Sequence, residues 1–113
     1  MSQAGSTSAG FYPPGTLTLK YTPVSTTPYV VLDTDEFLGV DTTTLAITIL
    51  LPDSALTGRV WIVKDNIGLA ITHNITVTTV SGIVLIDGAT TVTMNTAFEA
   101  LQFLFNGTEY LIF

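Results

Sequence analysis

Apolar residues recur along this chain with a period of two. In TTLAITILLP, Leu45, Ile47, Ile49 and Leu51 fall on one face and Thr44, Ala46 and Thr48 on the other, the signature of a half-buried strand. β-branched and aromatic residues dominate from Leu17 onward, turn signals return every eight to twelve residues, and a helical period is hard to find. The pattern predicts strands at 17–21, 29–32, 37–40, 44–51, 59–64, 74–79, 83–86, 91–95, 99–105 and 109–113. Two of them are apolar on both faces. RVWIVKD has Trp61 and Val63 on one side and Val60 and Ile62 on the other, and EALQFLFNG sets Ala100 and Leu104, around Gln102, opposite Leu101, Phe103 and Phe105. Such strands are expected to be covered on both sides, a partner chain being one possible cover.

The turns have mechanisms. Pro52 cannot donate to a ladder and ends the 44–51 strand, and Asp53-Ser54 opens a loop. Asp87-Gly88 and Asn106-Gly107 are the dipeptides that two-residue hairpins prefer, because both central positions take positive φ. This predicts an all-β, antiparallel, jelly-roll-like sandwich over residues 17–113. The first sixteen residues, MSQAGSTSAGFYPPGT, are small, polar and rich in Pro and Gly, and read as a flexible arm or stalk linker, with Phe11 and Tyr12 as its apolar exceptions.

Composition changes the picture in one respect. The chain is 47% hydrophobic and only 11% charged, against roughly 25% charged in a typical soluble domain. Threonine, about a fifth of the residues, suits exposed strand positions. Burial of part of the surface in an oligomer is the simpler explanation expected for the remaining charge poverty. The net charge of −6, with Lys20, Arg59 and Lys64 as the cations, leaves no basic patch for a phosphate backbone. No apolar run reaches the ~18 residues of a membrane helix, and the opening residues lack a signal-peptide pattern. With no cysteine, there is no disulfide, thiolate metal site or cysteine nucleophile.

The stretch from Trp61 to Gly88 holds most of the polar groups capable of chemistry: Lys64, Asp65, Asn66, His73, Asn74 and Asp87. A serine hydrolase needs a base within reach of its nucleophile. Here the one histidine, His73, lies in a Thr-His-Asn turn, and Ser25, Ser54 and Ser81 sit in no nucleophile elbow. Asp65 and Asp87 form the best carboxylate pair for a glycosidase, yet both stand beside turn residues, where aspartate caps backbone groups. Asp33, Asp35, Glu36 and Asp41 offer oxygens for Ca²⁺ but lack the D-x-[DN]-x-[DN]-G spacing and read as a solvated turn. Asn74-Ile75-Thr76 and Asn106-Gly107-Thr108 match the glycosylation sequon. Trp61, Tyr12, Tyr21, Tyr29 and Tyr110 are candidates for stacking on sugars, with mid-strand Trp61 better placed in a core. The reading assigns no catalytic, cofactor-binding or metal-binding residue.

Ile49-x-Leu51-Pro52, Lys64-Asp65-x-x-Gly68-x-Ala70, Asn74-Ile75-Thr76-Val77, Ile86-Asp87-Gly88 and Asn106-Gly107-Thr108-x-Tyr110 occur in that order. Over about residues 29–113 this succession resembles the C-terminal β-rich head modules of phage tail-fibre proteins and of fibre-like proteins of large DNA viruses and virophages. Tyr110-Leu111-Ile112 departs from it where the family often has tryptophan. The resemblance implies a non-enzymatic homotrimer that caps a stalk on the virion surface, is produced in the host cytoplasm, and serves structure or host attachment through a receptor or glycan. The alternative from another class is a carbohydrate-binding, lectin-like β-sandwich.

Overall fold

A computed structural model describes residues 17–113; the predicted arm at 1–16, with Phe11 and Tyr12, lies outside the described residues. Nine strands and no helix make up the described chain: β1 (Tyr21–Val24), β2 (Tyr29–Val30), β3 (Phe37–Val40), β4 (Ile47–Leu51), β5 (Val60–Asp65), β6 (Ile75–Thr79), β7 (Val92–Met94), β8 (Ala100–Phe105) and β9 (Tyr110–Ile112). They form a five-stranded sheet in the order β1-β3-β5-β8-β9 and a four-stranded sheet in the order β2-β4-β6-β7.

The antiparallel jelly-roll expectation requires correction. Through β6 the chain alternates between the two sheets, and each strand pairs in parallel with the strand two before it: β1 with β3, β3 with β5, β2 with β4 and β4 with β6. These six strands therefore wind as a coil, two strands to a turn. Only the last third reverses, with β7 antiparallel to β6, β8 antiparallel to β5, and β9 antiparallel to β8. The physical reason is that period-two alternation fixes which side chains face inward but carries no information on which strand lies alongside. A hairpin dipeptide is the local sign of antiparallel pairing, and none separates the first six strands.

Alternation holds where the strands are long enough to show it. In β4, Ile47, Ile49 and Leu51 are buried; in β6, Ile75, Val77 and Thr79; in β5, Trp61 and Val63; in β8, Phe103 and Phe105. The apolar side chains among these, from both sheets, with Val24, Leu38, Val40, Met94 and Tyr110, belong to one buried cluster. Outer faces differ. On the four-stranded sheet, register aligns Thr48, Thr76 and Thr93 in one row. On the five-stranded sheet the outward row is Val60, Leu104 and Leu111, followed by Phe37, Ile62 and Gln102. Both expected double-faced strands are thus central in this sheet, with Val60, Ile62 and Leu104 half-buried on its outer side.

Several predicted elements shift, the strands expected at 29–32 and 44–51 shortening to Tyr29–Val30 and Ile47–Leu51. The first strand starts at Tyr21, where 17–21 was expected, and carries Pro23 on a sheet edge, where a missing N–H costs no ladder bond. Residues 83–86 form no strand; Ile86 is fully buried in the core and bridges Ala89 and Tyr110, while Val84 packs against the core from partial burial. Asp87 (φ 48°) and Gly88 (φ 82°) make the expected tight turn, closed by mutual Ile86–Ala89 hydrogen bonds of 2.7 and 3.0 Å. The β8–β9 hairpin also forms, one residue later than the dipeptide suggests. Asn106 N–H donates to the Glu109 carbonyl, and Asn106 Oδ1 accepts from the N–H of Thr108 and of Glu109 at 3.0 and 2.9 Å. Asn106 therefore serves as an Asx-turn acceptor while Gly107 takes the positive φ of 108°.

Ile49, fully buried at the centre of the coil, is the sharpest probe of this core. Ile49→Ala is expected to cost about 3 kcal/mol, read as a lowered midpoint in urea unfolding.

Candidate functional site

Two buried carboxylates organise the polar interior. Asp65 ends β5 and is fully buried. Its Oδ1 accepts from Thr42 Oγ1 at 2.8 Å and from the N–H of Ile67 and Gly68 at 3.2 and 3.0 Å. Its Oδ2 accepts from the N–H of Ala70 and of Phe98, each at 3.0 Å. One side chain thereby joins the loop after β3, the loop after β5 and the turn before β8. Burial alone would raise its pKa, but the converging donors overcome that and hold it at about 2.

Asp35 does the same between β1 and β3. It accepts from Thr22 Oγ1 at 2.9 Å, from Tyr29 Oη at 2.6 Å and from Leu32 N–H at 2.9 Å. Burial opposes its charge, yet the hydrogen bonds of Tyr29, Leu32 and Thr22 keep it below the ordinary aspartate range. Burial and the adjacent Asp35 push Tyr29 up to about 12. Arg59 lies 4.2 Å over the Trp61 ring and donates to the carbonyls of Asp33, at 2.7 Å, and of Asp35. Its 3.6 Å ion pair reaches the exposed Asp33 carboxylate and contributes little.

The candidate residues are therefore dispersed. Asp65 lies where β5 meets Glu99 and Ala100, whereas Asp87 sits beside Tyr110 and Ile112, accepting the Ile112 N–H at 3.0 Å. The glycosidase pair is not brought together. His73 Nδ1 meets the Thr42 carbonyl at 2.8 Å, and among the described residues no serine hydrogen-bonds it. Of the acidic set, Asp35 is enclosed, Glu36 accepts the Lys20 N–H at 2.6 Å, and Asp41 caps the Thr43 N–H at 2.9 Å. Among the described residues no three His, Asp or Glu side chains are grouped to hold a metal. In the sequons, Asn74 is half-buried, whereas Asn106 is exposed with its Oδ1 taken by the Asx turn.

Within the described aromatic set, Trp61 and Tyr110 are core residues, Tyr110 donating to the Pro52 carbonyl at 2.7 Å. Tyr29 is committed to Asp35. Tyr21 alone keeps a ring well exposed, at 49%. It lies on Gly39, where a Cβ would collide with it, and its Oη accepts from Asn66 Nδ2 at 2.9 Å. Register sets Gly39 beside Lys64, whose Nζ donates to the Phe98 carbonyl and lies 5.4 Å from the Phe98 ring centre. Phe98 is 57% exposed and has a positive φ of 61°, a strained conformation for a bulky residue. Tyr21, Lys64, Asn66 and Phe98 thus form one open aromatic and polar cluster. Sequence reasoning missed Phe98, whose strained backbone has no local signature in TAFEA.

Compared with known proteins, the chain matches no family model and no curated protein.

Asp65→Asn turns an amide N–H toward backbone donors and is expected to cost about 3 kcal/mol, against ~1 kcal/mol or less for His73→Ala; urea unfolding of both variants checks the contrast. The low pKa of Asp65 also sets an acid limit. Its contribution is complete above the unfolded value near 3.8 and is lost as pH falls through about 2, a loss of roughly 2 kcal/mol at that one group. Asp35 acts in the same direction. Wild-type stability measured between pH 5 and pH 2 should fall in that window, with a shallower slope in Asp65→Asn.

Proposed function

We propose that this chain is a non-enzymatic head module of a viral fibre, assembled as a homotrimer at the virion surface and serving structure and host attachment. Its two sheets, which share one buried cluster, are read as the two layers of a sandwich. The observation that carries the proposal is the outer face of the five-stranded sheet. Val60, Ile62, Leu104, Leu111 and Phe113, around Gln102, make it largely apolar from its centre to its β9 edge, and Leu111 and Phe113 remain 39% and 62% exposed. A chain with 11% charged residues and an apolar sheet face of this kind is suited to burying that face against copies of itself. The order of turn motifs supports a fibre head in particular. Each occupies a structural joint: Pro52 ends β4, Lys64-Asp65 ends β5, Asn74 precedes β6, Asp87-Gly88 forms a tight turn, and Asn106-Gly107 closes the last hairpin. Engagement of Asp65 and Asp35 by backbone and hydroxyl donors favours a scaffold over a hydrolase. A second reading, a lectin-like carbohydrate-binding domain, is favoured by the open cluster at Tyr21 and Phe98 and is compatible with the first.

Light scattering at micromolar concentration should give three times the 12.0 kDa of one chain; a single-chain mass overturns the assembly. The double variant Leu111→Asp, Phe113→Asp changes exposed positions and should reduce the mass threefold while leaving the β-type circular dichroism unchanged.

A further inference from the structure

We infer that the Tyr21–Lys64–Asn66–Phe98 cluster is a saccharide-binding site that stacks pyranose rings. The inference deepens the attachment reading above and rests on it for biological role, though not for binding itself. A pyranose presents a flat patch of C–H groups and a rim of hydroxyls, so the protein surface that recognises it offers a flat apolar ring with hydrogen-bonding groups at its edge.

Tyr21 has that form. Its ring rests against the backbone of Gly39, packs 5.8 Å from the Phe37 ring centre, and is held at its Oη by Asn66 Nδ2. A ring fixed this way loses little conformational freedom when a ligand lands on it. The phenol accepts from Asn66 and retains its own O–H as a donor, and among the described residues Asn66 Oδ1 has no hydrogen-bond partner. Both groups are suited to sugar hydroxyls.

Phe98 supplies the second ring. It packs against Gly68, where a Cβ would collide with the ring edge, and its N–H is held by Asp65 Oδ2. The Asp65 anchor thereby presents a large apolar side chain to solvent from a strained backbone, the kind of local cost that accumulates at recognition sites. Lys64 links the two rings: it is in register with Gly39, on which Tyr21 lies, and its Nζ is 5.4 Å from the Phe98 ring centre. Lys64 has N–H directions beyond its bond to the Phe98 carbonyl, available to a sugar hydroxyl. The cluster lies at the Lys64 end of β5, away from the Val60–Leu104–Leu111 row proposed to bury in the trimer.

The test uses the full chain, amide-resolved NMR, and lactose, N-acetyllactosamine, maltose and chitobiose as probes, with sorbitol as a polyol that lacks the pyranose face. At least one disaccharide should give saturable shifts centred on Tyr21, Gly39, Asn66 and Phe98 at millimolar concentration, and sorbitol none. Tyr21→Ala and Phe98→Ala should each weaken binding about tenfold or more. Tyr21→Phe, which keeps the ring, should stay within about threefold and guards against reading a folding defect as a lost contact. No shift with any of the four sugars, shifts centred elsewhere, or unchanged affinity in both alanine variants overturns the site. Solution mass separates the two proposals: binding by a monomer defeats the fibre assembly alone, and a trimer without binding defeats the saccharide site alone.

Discussion

A buried carboxylate without partners would be expelled or neutralised; Asp65 remains charged because five donors converge on it. Those donors belong to segments far apart in sequence. Thr42 follows β3, Ile67 to Ala70 follow β5, and Phe98 precedes β8. The bonds are therefore reciprocal: the loops satisfy the charge, and the charge fixes the loops. Much of the open end of the five-stranded sheet follows from this one group, including the positions of Gly68 and Phe98 and, through Thr42, of Leu69 and His73. Asp35, with Thr22, Tyr29 and Leu32, is a smaller version of the same device at the first turn of the coil.

This arrangement answers a problem specific to winding a chain between two sheets. Parallel strands cannot be joined by tight hairpins, so each turn of the coil needs longer connections. Those connections carry backbone N–H groups that the ladders leave unpaired. An inward-facing carboxylate at the end of a strand gathers several of them at once. The final hairpin needs no such device, because Asn106 satisfies its own turn locally.

What was legible in the sequence was whatever is local. Alternation in β4 identified buried Ile47, Ile49 and Leu51, and the double-faced patterns were legible in β5 and β8, which lie in the middle of a sheet. The turn at Asp87-Gly88 and the hairpin after Phe105 were written in their dipeptides. Pairing partners were not, since Tyr21 against Phe37 and Ile47 against Ile75 depend on how the chain returns through the other sheet. Aspartate as a capping residue was legible at position 65; that it would cap three segments from full burial was not, because Thr42 and Phe98 lie far from it along the chain. The open cluster was visible only in part, with Tyr21, Lys64 and Asn66 named and Phe98 absent.

The row of Thr48, Thr76 and Thr93 across the four-stranded sheet has a consequence for the medium in which this protein can work. Hydroxyl groups hold water by hydrogen bonding, which does not depend on a counterion atmosphere. Charge-based solubility weakens as the screening length contracts from ~8 Å at physiological ionic strength to ~3 Å at 1 M salt. A sheet face wetted by threonine draws its hydration from hydroxyl groups, so this part of the exterior does not rely on mutual charge repulsion to stay wet.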